Sequence, residues 1–293
     1  LPRLVSPMPS QSRPFHSPLL GGSHVGWAPP SIWFQLALPK GGWQGGETSL
    51  IRPIRNGILP PCYPFMIAEH RQAKRASVRA VGCRLNQYEV TAIADRLDAA
   101  GFEVVPFGEP ADLGVINTCT VTNEADAKSR NAIRRFIRAN PKAVTAVVGC
   151  YSQVGASSVA EIPGVDYVIG NQDKMNLLDY LGEEKTERPV IIRERIDPED
   201  FSISINRDTP FEWRANLKVQ DGCDFMCSFC IIPFARGRAR SRDFANLLDE
   251  ARSLVDRGVR EIILTGVNVG TYSSQGRNFL SMVEALAAVP SLS

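Results

Sequence analysis

Residues 143–153 read Ala-Val-Thr-Ala-Val-Val-Gly-Cys-Tyr-Ser-Gln. The apolar run Ala143–Val148 is long enough for a buried strand and too short for a helix, and Gly149-Cys150 breaks it. Upstream, Asn123–Ala139 reads as a helix with Ser129, Ala132, Ile133, Phe136 and Ile137 on one face, stopped by Asn140-Pro141. The alternation extends in both directions. Ser77–Gly82 and Asp112–Asn117 are expected as strands, Val165–Ile169 as a fourth, and Asn86–Ala100 as a helix with Val90, Ile93, Ala94 and Leu97 inward. Strands alternating with helices argue for a parallel, doubly wound sheet.

A second α/β run follows a polar stretch of mixed charge, Gly182–Glu212, which holds Pro189, Pro198 and Pro210 and reads as a linker with an edge strand at Val190–Arg193. Ala215–Gln220 and Glu261–Thr265 are expected strands. Phe244–Arg257 is a helix with Leu247, Leu248, Ala251, Leu254 and Val255 inward, and Phe279–Ala288 is a second one. The start of the chain differs. Its first 65 residues hold 12 of the 21 prolines and one acidic residue, Glu47, with no amphipathic period. They are expected to be a disordered extension or spurious upstream sequence, giving boundaries at 1–76, 77–182, 183–212 and 213–293. The net charge of +2 confines any nucleic-acid contact to local basic patches. No stretch reaches the roughly 20 apolar residues of a membrane span, so a soluble, cytoplasmic protein without membrane contact is expected.

Seven cysteines in such a protein point to metal or redox chemistry before disulfides. Cys62 lies in the atypical arm, and the other six fall in two groups of three. Cys223, Cys227 and Cys230 follow the Ala215–Gln220 strand within Gly-Cys-Asp-Phe-Met-Cys-Ser-Phe-Cys, at spacings x3 and x2. Three thiolates so spaced can hold three irons of a [4Fe–4S] cube, leaving the fourth iron open to a substrate or cofactor. A zinc site completed by a distant ligand is the competing reading; histidine does not easily complete it, because His16, His24 and His70 all precede the regular region. Cys83, Cys119 and Cys150 lie 36 and 31 residues apart, yet each stands directly after an expected strand and before a helix. In a parallel sheet such junctions share one edge, where doubly wound folds bind ligands. A second three-cysteine cluster follows, against the alternative of three unrelated buried cysteines.

The stretch Cys-Asp-Phe-Met-Cys-Ser-Phe-Cys resembles the radical-SAM signature. The two groups in this order resemble the radical-SAM methylthiotransferase family, from about Val78 to the C-terminus. Within it, Gly-Cys-Arg-Leu-Asn-Gln-Tyr-Glu (82–89) and residues 118–130, Thr-Cys-Thr-Val-Thr-Asn-Glu-Ala-Asp-Ala-Lys-Ser-Arg with Asn117 before them, look like the branch that modifies threonylcarbamoyl-adenosine in tRNA. The resemblance implies an N-terminal doubly wound domain followed by the start of a radical-SAM partial (β/α) barrel. It implies two [4Fe–4S] clusters and S-adenosylmethionine. The Cys223/Cys227/Cys230 cluster, the catalytic one, would cleave S-adenosylmethionine reductively; the resulting radical would take hydrogen from C2 of the adenine; the Cys83/Cys119/Cys150 cluster would hold or donate the sulfur; and a second S-adenosylmethionine would supply the methyl. Gly266 and Asn268, in Leu264–Asn268, and Phe229 would contact S-adenosylmethionine.

Partners implied are tRNA and an electron donor such as a flavodoxin or ferredoxin. Arg236, Arg238, Arg240 and Arg242, beside the second cysteine loop, are candidate RNA contacts, as is the helix face of Lys128, Arg130, Arg134, Arg135 and Arg138. Ala239 stands where relatives often have Ser or Glu. Only two barrel strands follow the linker, where similar enzymes have about six, so this chain by itself is expected to be an incomplete, inactive piece of the enzyme. Competing readings are a methylthiotransferase for isopentenyl-adenosine tRNA or a ribosomal-protein aspartate, and a non-catalytic iron–sulfur or zinc module.

Overall fold

The computed structural model describes residues 73–203 and 213–291. The atypical arm, Cys62 included, and the end of the expected linker lie outside them. The first region runs β1 (Arg75–Ala80), α1 (Arg84–Ala99), β2 (Glu103–Val105), β3 (Leu113–Thr118), α2 (Asn123–Ala139), β4 (Val144–Gly149), α3 (Cys150–Val154), α4 (Ala156–Ala160), β5 (Tyr167–Ile169) and β6 (Val190–Ile192). Its six strands form one sheet in the order β2-β1-β3-β4-β5-β6, every neighbouring pair parallel.

The sheet is doubly wound because its strands are apolar on both sides. Ile116, Val147 and Val168 point to the face covered by Ile133 and Phe136 of α2 and Val159 of α4. Val115, Ala146, Val148 and Ile169 point to the opposite face, under Ile93 and Leu97 of α1 and Leu177. Alternate residues of one strand thus serve two cores. Gly114 is where a side chain is excluded by contact: a Cβ there would stand 2.1 Å from the Phe136 ring. The expected α1 begins earlier than its apolar period suggests, at Arg84, and Val90 is only half-buried. The segment expected as a linker supplies edge strand β6 and buries Ile196 and Ile203.

The second region holds β7 (Arg214–Lys218), β8 (Gln220–Asp221), α5 (Ile232–Arg236), β9 (Arg240–Ser241), α6 (Phe244–Asp256), β10 (Glu261–Thr265) and α7 (Phe279–Ala287). β7 and β10 pair in parallel, and β8 pairs antiparallel with β9. Asp243 caps α6 by accepting from Asn246 N at 2.8 Å. Leu247, Ala251 and Leu254 of α6 pack with Leu217, Val219, Met282 and Leu286 in a core of their own. The two regions meet where α1 packs on β7 and α3 on α5. The face α1 turns to that contact is polar: Asn86, Tyr88 and Glu89 are all buried.

Candidate metal centres

The parallel sheet brings Cys83, Cys119 and Cys150 to one edge. Cys83 precedes α1 after β1, Cys119 follows β3, and Cys150 opens α3 at the end of β4. These three strands are neighbours, and the chain reverses its winding direction between β1 and β3. That switch point opens the crevice in which doubly wound folds bind ligands. Cys119 and Cys150 are buried, and Cys83 is exposed. Gly82 adopts φ +94°, and a Cβ on it would stand 2.5 Å from the Cys119 Cβ and 2.8 Å from its Sγ. The Cys119 side chain therefore uses room that only glycine leaves.

Ser129, on α2, holds the Cys119 backbone on both sides: its hydroxyl accepts from Cys119 N at 3.2 Å and donates to Cys119 O at 3.0 Å. Burial pushes the Cys119 thiol up, and charge on Cys150 and Cys83 pushes the same way. The Cys83 thiol is 3.8 Å from Asn86 Oδ1, while the Asn171 amide donates to Cys150 Sγ at 3.5 Å.

Cys223, Cys227 and Cys230 lie on the loop between β8 and α5. Gly222 opens it at φ +70°, where a Cβ would fall 1.9 Å from Arg238 O. Cys223 N donates to Gly237 O (3.1 Å) and Cys230 N to Cys227 O (3.0 Å), which curls the loop on itself. The apolar side chains of this loop face outward, Phe225, Met226 and Phe229 among them, the last 90% exposed.

Among the described residues no three Cys, His, Asp or Glu side chains stand close enough to share one metal ion. Thiolates around a single zinc lie within about 4 Å of each other, given Zn–S bonds of about 2.3 Å. The corners of an iron–sulfur cube are farther apart. Three cysteines at neighbouring strand ends and three more on one loop are two sets of soft sulfur donors, the kind that iron–sulfur clusters use.

Gln220 is a side chain at the loop mouth that the sequence alone did not single out. It is fully buried, and its Nε2 donates to Asp221 O (2.9 Å) and Gly222 O (2.8 Å), at the mouth of the cysteine loop. Its Oε1 accepts from Val267 N (2.9 Å) and Asn268 N (2.8 Å). One amide thus fastens the Gly266–Asn268 stretch to the loop. The available signal was a glutamine at the end of an apolar strand, where a polar group must find partners.

The arginines near this loop require a correction. Arg236 and Arg242 were expected to meet RNA, yet both are buried and spend their donors inside the protein. Arg236 bonds Glu89 and Asp221 (both 3.0 Å) and Asn86 Oδ1 (2.6 Å). Arg242 bonds Glu250 (2.6 Å), the Tyr88 hydroxyl (3.1 Å) and Ile203 O (2.6 Å). A buried guanidinium must be paired in this way, and the acids and amides of α1 and α6 supply the partners. Arg240 is mostly buried against Asp221 and the Phe201 ring. Arg238 stays exposed, 3.0 Å from Asp224. On α2, Arg134, Arg135 and Arg138 are exposed, whereas Arg130 reaches the Tyr151 hydroxyl (3.1 Å).

Arg236 belongs to an ionic core between the two regions. Glu89 meets Lys174 (2.5 Å), Lys218 (2.9 Å) and Arg236, and Asp221 meets Lys218 (2.6 Å) and Arg236. Burial alone would raise the Glu89 carboxyl, but Arg236, Lys174 and Lys218 outweigh it and hold Glu89 well below the usual carboxylate range. Asp221 is lowered by the same balance, with Arg236 its strongest attraction. Four cations face two carboxylates, Arg240 reaching Asp221 at 3.4 Å; at Lys174, burial only partly offset by Glu89 brings the pKa down to about 8.

Comparison with known proteins agrees with this layout. Residues 75–170 match the model of Uncharacterized protein family UPF0004, and residues 217–288 that of the Radical SAM superfamily. The first match covers the sheet with the strand-end cysteines, and the second includes the cysteine loop. The threonylcarbamoyladenosine tRNA methylthiotransferase MtaB of Bacillus subtilis (strain 168) is 43% identical over 205 residues, 68% of this chain and 45% of that protein. Its counterpart in Aquifex aeolicus (strain VF5) is 37% identical over 73% of this chain and 53% of its own length. A tRNA-2-methylthio-N(6)-dimethylallyladenosine synthase of Cereibacter sphaeroides (strain ATCC 17029 / ATH 2.4.9) is 34% identical over 75% and 52%. The chain is similar to these three proteins over 68–75% of its own length. It spans about half the length of the curated relatives it matches.

Proposed function

We propose that this chain carries the two metal centres of an enzyme that transfers a methylthio group to C2 of N6-threonylcarbamoyl-adenosine beside a tRNA anticodon. The observation that carries the reading is the placement of two three-cysteine sets in one folded unit, joined by α3 on α5 and by the ionic core. In this reading Cys83, Cys119 and Cys150 hold one [4Fe–4S] cluster and Cys223, Cys227 and Cys230 the other. The bound groups supply S-adenosylmethionine cleavage, sulfur and methyl, and an electron arrives from a flavodoxin or ferredoxin in the cytoplasm; the protein's part is to position and shield.

Gln220 presents the backbone of Val267 and Asn268 at the loop mouth, where Gly266 and Asn268 can meet the amino acid part of S-adenosylmethionine, and the exposed Phe229 ring offers an apolar face beside Cys230. Arg238 and the exposed arginines of α2 are the RNA contacts. No helix among the described residues is long and apolar enough to cross a membrane.

The test has two stages. Anaerobically reconstituted protein, with dithionite and S-adenosylmethionine, is assayed for iron, sulfide and 5′-deoxyadenosine. Absence of iron and of deoxyadenosine sinks the class. A version extended to the length of the curated relatives is then incubated with tRNA bearing threonylcarbamoyl-adenosine, tRNA bearing isopentenyl-adenosine, and ribosomal protein, and the products are digested for mass spectrometry. The methylthio mass gain is expected on the first substrate; a gain confined to the second or third moves the protein to that branch. The isopentenyl branch is the second reading, because the Cereibacter relative matches over a similar span.

A further inference from the structure

Asn171 stands two residues beyond β5, at the same sheet edge as the strand-end cysteines, and is buried. Its Nδ2 donates to Cys150 Sγ at 3.5 Å and to Ala235 O of α5. Its Oδ1 accepts from Lys174 Nζ at 2.7 Å. An ammonium can only donate, so Lys174 fixes which end of the amide is oxygen and turns the NH2 group toward the sulfur. Lys174 is itself held by Glu89 at 2.5 Å. A chain of contacts therefore runs from the ionic core to one thiol of the strand-end centre. The other asparagine at this centre works in the opposite sense: Asn86 presents Oδ1, an acceptor, toward Cys83 and gives its NH2 to Val81 O (2.7 Å) and Thr118 O (2.9 Å).

We propose that Asn171 is a positioning residue of the strand-end centre: its amide N–H steers the Cys150 sulfur and stabilises negative charge on it, with Lys174 locking the amide in that orientation. The inference rests on the reading of Cys83, Cys119 and Cys150 as ligands of one cluster. An N–H donated to a cluster sulfur favours the reduced, more negative cluster, because hydrogen bonds to the sulfurs help set the potential. The Ala235 contact adds a second consequence. The same amide grips α5, which directly follows Cys230, so the Cys150 sulfur is held in register with the second cysteine loop.

The test uses the chain with Cys223, Cys227 and Cys230 replaced by Ala, so that only the strand-end cluster can form. This parent is reconstituted, its iron is counted, and its one-electron potential is titrated by electron paramagnetic resonance. A parent without iron refutes the cluster reading itself. Given an iron-loaded parent, Asn171→Ala is expected to disfavour reduction about tenfold, a shift of about 59 mV to lower potential for one electron. Asn171→Asp, of the same size but without the donor, is expected to shift it at least as far. Lys174→Met keeps Asn171 but frees its amide, and is expected to shift the potential the same way by a smaller factor. Resonance Raman should show the Fe–S(Cys) stretch rising in the Asn171 variants as the hydrogen bond is lost. Unchanged potentials and stretches in the loaded variants overturn the proposal. Should Asn171→Ala fold but take up no iron, the Fe–S(Cys) stretch of Lys174→Met decides: a parent-like stretch overturns the proposal, and a raised one sustains it.

Discussion

The two cysteine sets of this protein reach three-fold ligation by different routes. Cys223, Cys227 and Cys230 sit within eight residues on one loop, and that loop is shaped by its own backbone bonds. Cys83, Cys119 and Cys150 come from three strand ends and meet only because β1, β3 and β4 are neighbours in a parallel sheet. A site made by a loop depends on local conformation; a site made by a sheet edge depends on the whole domain. The ionic core lies between them and touches both, through Asn86 and Asn171 on one side and Asp221 on the other.

The sharpest way to break this comparison is to remove one ligand from each set. The reconstituted chain is expected to hold about eight irons, two cubes of four. Cys227→Ala should lose about half of them and bring deoxyadenosine formation to background. Cys119→Ala should lose the other half while deoxyadenosine formation persists. Iron analysis and chromatography of the nucleoside read both, and either variant losing all its iron would show that the centres are not separate.

Glu89→Gln tests the junction. It leaves Lys174, Lys218 and Arg236 facing Asp221 alone, and removing one partner of a buried ion network costs about 3–5 kcal/mol. Urea unfolding should show that loss in both regions at once; a loss confined to the sheet would mean that the two regions are not coupled through it.

Backbone substitution comes next in size. Gly82→Ala places a side chain at φ +94° against Cys119, with strain on the order of 1–3 kcal/mol, and should lower iron at the strand-end centre alone. Gly222→Ala should do the same at the loop centre alone, since its Cβ would strike Arg238 O.

The ionic core also sets a pH dependence. Glu89 and Asp221 have folded values below their unfolded ones, so their contribution is present above the ordinary carboxylate pKa near 4 and lost as pH falls through the lower folded values. Lys174 is the reverse of the usual lysine. Its folded value of about 8 lies below its ordinary 10.5, so between these the unfolded chain binds more protons and stability should rise modestly with pH. Thermal melts across both windows check this, and Lys174→Met should abolish the alkaline increment.

The smallest effect is expected at Arg238→Ala. It should weaken tRNA binding evenly across sequences and reduce the salt slope by about 1, as loss of one phosphate contact does. An unchanged slope would remove Arg238 from the RNA surface.

Much of the architecture was legible because it rests on period and punctuation. Asn123–Ala139 and Glu261–Thr265 form as the pattern indicates, the first from its amphipathic stripe and the second from a short apolar run rich in β-branched residues. The short elements, β2, α3, α4 and α5, left no period long enough to read. The arginines misled for a related reason. Arg236, Arg238, Arg240 and Arg242 alternate along seven residues, and charge in a sequence says nothing of which side faces water.

What the sequence determined by itself was composition and order: six cysteines in two sets of three, each strand-end cysteine at a strand-to-helix junction, and the loop spacing that a cube can accept. The tertiary structure decided which polar groups meet. Glu89 and Arg236 lie 147 residues apart and Tyr88 and Glu250 lie 162 apart, yet each pair is in contact across the junction of α1 with the second region. No local pattern encodes such partners. Burial makes an unpaired charge costly, so the fold that excludes water from these side chains is also what selects their partners.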